Sequence, residues 1–209
     1  MSFFETSSDV GRLNTSKPLD HVAVSPETFK LLQLAQDLYN NSGGTFDVMY
    51  QNRKEFPEAS ILFHDNGTVS RTARATTDLG GIAKGYAVDE VAKLVQTKPG
   101  VSAVINAGGD IRFVGEQSFP LSIRSPLFDG KLFYVGSFTE CAVATSVFTH
   151  MTSQVSVSVF APSCALADSL TKVAFRMSAA ERSNLFLKYQ ARCMKFSASR
   201  DKGTQELVQ

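Results

Sequence analysis

Tryptophan is absent from this sequence of 209 residues, and cysteine is scarce. The three cysteines, Cys141, Cys164 and Cys193, are far apart and form no C-x-x-C pair, so we expect neither a disulfide framework nor a zinc site. No apolar run reaches the roughly 18 residues of a membrane-spanning helix, so we expect no membrane span. A charge excess is missing too, because 21 basic and 20 acidic side chains leave a net charge of +1, which gives no electrostatic basis for binding nucleic acid.

The two ends of the chain carry little pattern. Residues 1–5 lack the basic region and the long apolar stretch of a signal peptide, so the chain as written is expected to stay in the cytoplasm, where it is made. Residues 198–209 are polar and unpatterned, which predicts a C-terminal tail. The overall composition, 43% hydrophobic and 20% charged, is typical of a globular protein, and we expect one domain over residues 1–197.

Apolar periodicity predicts helices and short strands in mixed order. Helices are expected from Pro26, where Ser25 can act as the N-cap, after Gly81, and over Cys164–Met177 and Ala179–Tyr189. Strands are predicted on both sides of the Asp65-Asn66-Gly67 turn and at 101–105, 111–114, 119–124, 131–138, 141–145, 153–160 and 191–197. Valine and serine alternate over 153–160, which predicts a strand with one buried face. Together these elements indicate an α+β fold with helices packed on a largely antiparallel sheet.

Two glycine-rich turns are candidate ligand sites. In the first, residues 78–86, paired glycines before a helix let backbone N–H groups approach an anion, and Lys84 adds positive charge. Asp78 is placed to cap the helix or to accept a hydrogen bond from a ligand. The spacing fits neither a Walker loop nor a dinucleotide-binding fingerprint, so a plain strand-to-helix turn stays open. In the second turn, Asn106 and Asp110 flank paired glycines and can bond the turn backbone.

Asp168 and Thr171 form a third candidate site on a predicted helix. Residues three apart lie on one helix face, so this carboxylate and hydroxyl could share a hard cation such as Mg²⁺. The alternative is an early-helix aspartate that complements the helix dipole. A fourth segment, residues 43–47, is by itself a helix exit followed by a turn, and the three scattered histidines show no nucleophile–base pair.

Six segments of the sequence carry a family resemblance. In chain order they are Ser8 to Asn14, Thr45-Phe46-Asp47, Asp78 to Asp89, Asn106 to Arg112, Ala142 to Ser146 and Ala167 to Thr171. They resemble the motifs of the ApbE family, the FAD:protein FMN transferases, and the order is that of the family. The match is nearly residue for residue over D-L-G-G-I-A-K-G-Y-A-V-D, which is Asp78 to Asp89. The resemblance covers residues 1–197 and implies the layered ApbE fold.

The resemblance also implies an activity. Members of the family bind FAD and Mg²⁺, cleave the pyrophosphate, and join FMN through its phosphate to a Ser or Thr hydroxyl of a target protein. The implied partners are therefore FAD and a flavin-accepting protein. Some members hydrolyse FAD to FMN and AMP instead, and a relative that binds flavin nucleotide or a partner without catalysis is a further alternative. Family members are usually periplasmic or membrane-anchored, so the resemblance leaves the compartment open.

Site residues follow from the resemblance by position. It implies that Thr45, Phe46 and Asp47 line the flavin nucleotide site. Asp78 and Lys84 are implied FAD contacts, and Phe4 stands where a flavin-contacting Tyr is common. The implied metal ligands are the Gly81 carbonyl and the Asp168 carboxylate, with Thr171 as a weaker third candidate. Asp168 and Thr171 are also the implied catalytic residues.

The sequence departs from the family pattern in three places. Lys172 stands where the family has a metal-binding Thr, and Thr171 comes one residue early, about 100° away around a helix. An ammonium at 172 would either repel Mg²⁺ or replace part of its charge. Residues 149–153 run almost directly into the next strand, so most of a flavin-side loop is missing. The family begins with a further strand and helix, which we expect the sequence as given to lack.

Overall fold

The computed structural model describes the backbone of residues 1–124, 131–150, 153–199 and 206–208. The α-helices are α1 (Asp9–Thr15), α2 (Pro26–Asn41), α3 (Ala83–Gln96), α4 (Cys164–Arg176) and α5 (Ala179–Lys188), and Tyr50–Asn52 forms a 3₁₀ turn. The strands are β1 (Val22–Ala23), β2 (Ile61–Phe63), β3 (Thr68–Arg71), β4 (Ala103–Ala107), β5 (Asp110–Val114), β6 (Phe119–Arg124), β7 (Leu132–Phe138), β8 (Cys141–His150), β9 (Ser153–Ala161), β10 (Arg192–Ser199) and β11 (Glu206–Val208). In this part of the chain no helix has the length and apolarity needed to cross a bilayer.

Residues 1–83 form the first of two compact units. Its sheet is antiparallel with the order β1-β3-β2, and β2 and β3 form the predicted hairpin. Gly67 has a φ of +75° in the turn between them, which favours glycine there. Helices α1 and α2 supply the core of the unit with the fully buried side chains Val10, Leu13, Leu31, Leu32, Ala35 and Leu38.

Helix α1 was not predicted from the sequence, and its side chains show what holds so short a helix. Ser8 caps it by accepting a hydrogen bond from Gly11 N at 3.0 Å. Asp9 links it to the start of α2, because its Oδ2 accepts from Ser25 N at 2.9 Å and from Thr28 Oγ1 at 2.6 Å. The predicted cap of α2 is confirmed, since Ser25 Oγ accepts from Thr28 N.

Residues 84–209 form the second unit. Its main sheet has six strands in the order β11-β10-β9-β8-β5-β4, and β6 pairs with β7 in a separate hairpin. Every pairing in both sheets is antiparallel. The predicted α+β fold with a largely antiparallel sheet is therefore confirmed.

The main sheet is covered on both faces, which corrects one expectation. Strand β9 was expected to bury a single face, but Val157, Val159, Ser156 and Ser158 are all fully buried. Helix α4 packs on the face that carries the valines, since Thr171 of α4 contacts Ser146, the residue paired with Val157. The other face belongs to a cluster made mostly of phenylalanine and aliphatic side chains, namely Phe113, Leu121, Ile123, Val143, Phe160 and Phe196. The Ser158 hydroxyl is satisfied there by Thr145 Oγ1 at 2.8 Å, so burial leaves it no unmet hydrogen bond.

Strands β8 and β9 pair along their whole length. The ladder runs from Ala142↔Ala161 to His150↔Ser153, so the predicted strand at 141–145 continues to residue 150. Residues 151 and 152 lie outside the described residues, as does most of the predicted C-terminal tail, of which Glu206–Val208 pairs with β10. The pairing up to His150 is consistent with the shortened loop that the sequence indicates.

We predict that Asp9 contributes pH-dependent stability. Although burial alone would raise the pKa of Asp9, hydrogen bonds from Thr28 and Ser25 and the ion pair with Arg12 hold it at about 2. A carboxyl pKa below its unfolded value adds stability above about pH 4 that is lost as the pH falls toward 2. Asp9→Asn should therefore lower the free energy of unfolding at pH 7 by about 1 to 2 kcal/mol, a figure reduced for solvent screening.

Urea unfolding between pH 7 and pH 2.5 measures this contribution. The difference between wild type and Asp9→Asn should shrink steadily below about pH 4. Glu58→Gln, at an exposed position, is the matched control and should stay within about 0.5 kcal/mol of wild type at every pH. A difference for Asp9→Asn that stays constant down to the lowest pH would contradict the assignment.

Candidate functional site: a lysine–aspartate cluster

The first turn of α3 places Lys84 beside two buried carboxylates. Its Nζ forms an ion pair with Asp110 Oδ2 and lies 3.9 Å from Asp168 Oδ2. Asp110 begins β5 and Asp168 lies in the second turn of α4. The Lys84 side chain is 48% exposed, whereas those of Asp110 and Asp168 are 1% and 3% exposed. The lysine side chain is therefore partly open to solvent, whereas the two carboxylates are buried.

Lys172 holds the other oxygen of Asp168. Its Nζ forms an ion pair with Asp168 Oδ1 and donates a second hydrogen bond to the Asp168 carbonyl oxygen at 2.8 Å. The two residues are four apart on α4, the spacing at which side chains on a helix meet. Lys84, Asp110, Asp168 and Lys172 are called the lysine–aspartate cluster below. With both aspartates ionised, its formal charges cancel.

The electrostatics of the cluster are set by burial. Burial raises the pKa of Asp110 above its usual value, the hydrogen bond from Lys84 lowers it, and the neighbouring Asp168 charge raises it again. Asp168 Oδ2 is buried and accepts no hydrogen bond. The Lys84 ammonium lies 3.9 Å from that oxygen and offsets its charge by Coulomb attraction.

Two other residues of α3 bring Lys84 to α4. Asp89 accepts hydrogen bonds from Cys164 N at 2.8 Å and from Ala165 N at 2.9 Å, which satisfies the first two free N–H groups of α4. Gly85 faces the same helix end, where a Cβ would overlap the Cys164 carbonyl oxygen. Gly85 and Asp89 are four apart, so one face of α3 makes both contacts. Burial raises the pKa of Asp89, although the two backbone donors lower it in part.

The hydroxyl of Thr171 is directed elsewhere. It donates to the Asp168 carbonyl oxygen at 2.7 Å and lies 2.8 Å from Ser146 Oγ on β8. Thr171 is fully buried. Its oxygen is therefore used in holding α4 to the sheet.

In the first unit, Asp78 organises the turn before α3. Its Oδ1 accepts from Gly80 N at 2.8 Å, and its Oδ2 accepts from Gln51 Nε2 at 3.0 Å and from Tyr50 OH at 3.4 Å. Gly81 is half-buried in the same turn. Tyr50 is 57% exposed, so its ring and the Asp78 carboxylate are available at the surface of this unit.

The other predicted flavin contacts of the first unit differ in exposure. Phe46 is buried and Thr45 half-buried, whereas Phe4 is 91% exposed. The Asp47 carboxylate binds Arg53 through two hydrogen bonds of 2.7 and 2.9 Å and also accepts from Met49 N. Asp47 therefore fixes the turn that follows α2.

Sequence reasoning missed several of these partners. Tyr50 and Gln51 carry no local signal, because each meets its partner only after the chain has folded. Ser146 ends one of the six family segments, but no role was predicted for it from the sequence. Asp110 was expected to bond its own turn, but it turns to Lys84, while Asn106 Oδ1 accepts from Gly109 N as predicted. The pair Asp168–Lys172 did have a signal, the spacing of four on a helix. Within the described ranges, no group of three His, Cys, Asp or Glu side chains is arranged to hold a metal ion.

Comparison with known proteins agrees with the fold and the motifs. The ApbE family profile matches residues 1–56 and 52–150, so the chain belongs to the ApbE family. Three solved structures are similar over the whole chain: the ApbE protein of Thermotoga maritima (23% identity, 84% of that chain, TM-score 0.78), the flavin transferase ApbE of Vibrio cholerae (20%, 83%, 0.79) and the flavinyl transferase ApbE of Pseudomonas stutzeri in its apo form (17%, 79%, 0.77). At these identities, the TM-scores show that the chain shares the fold of these proteins. No curated protein matches the chain.

We predict that Gly85→Ala destabilises the protein, although the same change stabilises most helices. Replacing glycine by alanine at an open helix position adds about 0.5 to 1 kcal/mol of stability. At Gly85 the new Cβ would overlap backbone atoms of Cys164 and Ala165, which cannot move without breaking the Asp89 contacts. The free energy of unfolding should therefore fall by about 1 to 3 kcal/mol in a urea titration.

Gln96→Ala, at the exposed end of the same helix, is the control. It should stay within about 0.5 kcal/mol of wild type. An unchanged or increased stability of Gly85→Ala would contradict the close approach of α3 and α4.

Proposed function

We propose that residues 1–197 act as an FAD:protein FMN transferase, which moves FMN from FAD to a Ser or Thr hydroxyl of a target protein. Two kinds of support carry the proposal. The chain belongs to the ApbE family, and two of its structural neighbours are named flavin or flavinyl transferases. The lysine–aspartate cluster pairs two partly exposed lysine side chains with buried carboxylates, and this is the structural observation on which the proposal depends.

The cluster suits the diphosphate of FAD. Phosphate oxygens accept strong hydrogen bonds from ammonium groups, because both partners are charged. Asp110 and Asp168 fix the two ammonium groups before the substrate arrives, so less reorganisation accompanies binding. The solvent-facing groups of the cluster are the Lys84 and Lys172 side chains, 48% and 24% exposed, so the surface offered to a ligand is positive.

In the proposed reaction the acceptor hydroxyl oxygen attacks the phosphorus of the FMN half of FAD. A new P–O bond forms to the acceptor, and the P–O bond to the AMP phosphate breaks. AMP leaves with the electron pair, and the hydroxyl proton passes to a base or to water. Lys84 and Lys172 would offset the negative charge that develops on the phosphate oxygens, which is the main task in phosphoryl transfer.

The remaining candidate residues divide into flavin contacts and buried positioning residues. Phe4, Thr45, Phe46, Asp47 and Asp78 are proposed contacts of the flavin nucleotide. Asp168 and Thr171 are proposed to act in catalysis through what they hold, since both side chains are buried. Asp168 positions Lys172, and Thr171 ties α4 to Ser146 of the sheet.

The magnesium ion implied by the resemblance does not fit the donors of the second unit as they stand. Asp168 Oδ2 is buried without a hydrogen bond, which by itself would suit a ligand. The Oδ1 atom of the same carboxylate is held by Lys172, however, and the Lys84 ammonium faces Oδ2. The Thr171 hydroxyl is used by Ser146 and by a backbone carbonyl. We therefore assign no step of the reaction to a metal.

We predict FMN transfer that depends on Lys84. The purified chain with FAD and a panel of Ser- and Thr-containing peptides should yield AMP together with an FMN–peptide adduct, read by chromatography and mass spectrometry. Lys84→Met should slow the transfer by about 10²- to 10³-fold, the usual loss when one charge-stabilising donor is removed. Lys98→Met, at an exposed position after α3, should react as wild type.

The same reaction mixture separates the alternatives. Free FMN and AMP without an adduct would show an FAD pyrophosphatase. The absence of both products would show a relative that is not catalytic. Either result would contradict the transferase.

A further inference from the structure

We infer that Lys172 is a built-in cation that replaces a divalent metal ion at Asp168, so that the lysine–aspartate cluster binds a diphosphate without Mg²⁺. Binding of a diphosphate rests on the proposed function, whereas the pairing of Lys172 with Asp168 is seen in the structure.

The hydrogen bonds of Lys172 occupy acceptor atoms of Asp168. Its ammonium contacts both the Oδ1 atom and the carbonyl oxygen of Asp168, so one residue supplies two acceptors. The carboxylate is almost fully buried, and the lysine side chain is 24% exposed. An ammonium group has three donors and no lone pair to offer a metal. Lys172 thus occupies the Oδ1 atom of Asp168 and cannot itself be a metal ligand.

The charges of the cluster already balance without a metal ion. Two carboxylates face two ammonium groups, and the formal sum is zero. A divalent ion at Asp168 would lie close to both Lys84 and Lys172. Either the two ammonium groups repel the ion, or one of them must move away from its buried carboxylate. The second course breaks a desolvated ion pair, which is energetically costly. A bare pair of carboxylates would attract such an ion, but this cluster already holds its own cations.

Few oxygen atoms around Asp168 are available as magnesium ligands. Magnesium prefers about six oxygen ligands in near-octahedral geometry. Around Asp168 the hydroxyl of Thr171 is occupied by Ser146 and by the Asp168 carbonyl oxygen. Among the described residues of this unit, Asp168 Oδ2 is the one carboxylate oxygen of the cluster that is buried without a hydrogen bond. One oxygen between two ammonium groups is a poor magnesium site.

Manganese titration without flavin tests the role of Lys172 directly. Mn²⁺ is the probe, and the free ion is read by electron paramagnetic resonance. Up to about millimolar Mn²⁺, wild type and Asp168→Asn should give the same titration, because Asp168 contributes no Mn²⁺ site in wild type. Lys172→Thr, which removes the ammonium and supplies an oxygen, should bind Mn²⁺ at least about tenfold more tightly.

Two variants serve as controls. Lys172→Arg keeps a positive charge beside Asp168 and should behave as wild type. Lys98→Thr makes the same change at an exposed position and should also behave as wild type. Saturable Mn²⁺ binding by wild type that is lost in Asp168→Asn would overturn the inference, and so would an unchanged affinity in Lys172→Thr. The wild-type titration decides even if a variant fails to fold.

An FAD titration followed by flavin fluorescence completes the test. The affinity of wild type should be the same within about twofold in EDTA and in excess Mg²⁺, whereas Lys172→Thr should bind FAD more tightly with Mg²⁺. An FAD affinity of wild type that rises strongly with Mg²⁺ would overturn the inference. FAD that binds in neither buffer would overturn the proposed function, while the manganese titration still decides the role of Lys172.

Discussion

The contact between Asp89 and the first two N–H groups of α4 is the interaction on which the lysine–aspartate cluster depends. A helix N-terminus leaves unpaired donors, and here a carboxylate from α3 satisfies two of them. The contact requires the backbones to approach closely, and Gly85 provides the space. Once α3 is fixed there, Lys84 lies within reach of Asp110 on β5 and Asp168 on α4. Two residues of the Asp78 to Asp89 motif, Gly85 and Asp89, therefore hold α3 against the start of α4.

We propose that a side chain takes the place of a bound ion in the lysine–aspartate cluster. A lysine ammonium carries one charge and donates hydrogen bonds, whereas Mg²⁺ carries two charges and organises oxygen ligands. Lys172 cannot dissociate, so the positive charge beside Asp168 is independent of the metal concentration. The buried aspartates keep both ammonium groups in place, which gives a positive surface on a locally neutral cluster. Such a surface suits a phosphate ligand, because the cations need little rearrangement to meet it.

Much of the fold could be predicted from the sequence, and the failures have physical causes. Helix α2 and strand β9 follow periodic patterns, and the paired glycines marked the turns. Helix α1 was missed because its seven residues show almost no period, and its Ser8 cap and Asp9 contacts hold it instead. The second buried face of β9 was missed because Ser158 is satisfied by a residue on another strand. In the site, the Asp168–Lys172 spacing was visible on one helix, whereas the Lys84–Asp110 pair arises only from tertiary structure.

A crystal structure of the chain grown with MnCl₂ and FAD would show directly whether Lys172 takes the place of a metal ion at Asp168. Anomalous diffraction data collected at the manganese edge would locate any bound manganese. We predict that the Lys172 ammonium contacts Asp168 Oδ1 and that no anomalous peak lies at Asp168. Phosphate oxygens of FAD should contact Lys84 and Lys172. A manganese ion bonded to Asp168, with the Lys172 side chain turned away from it, would contradict the claim.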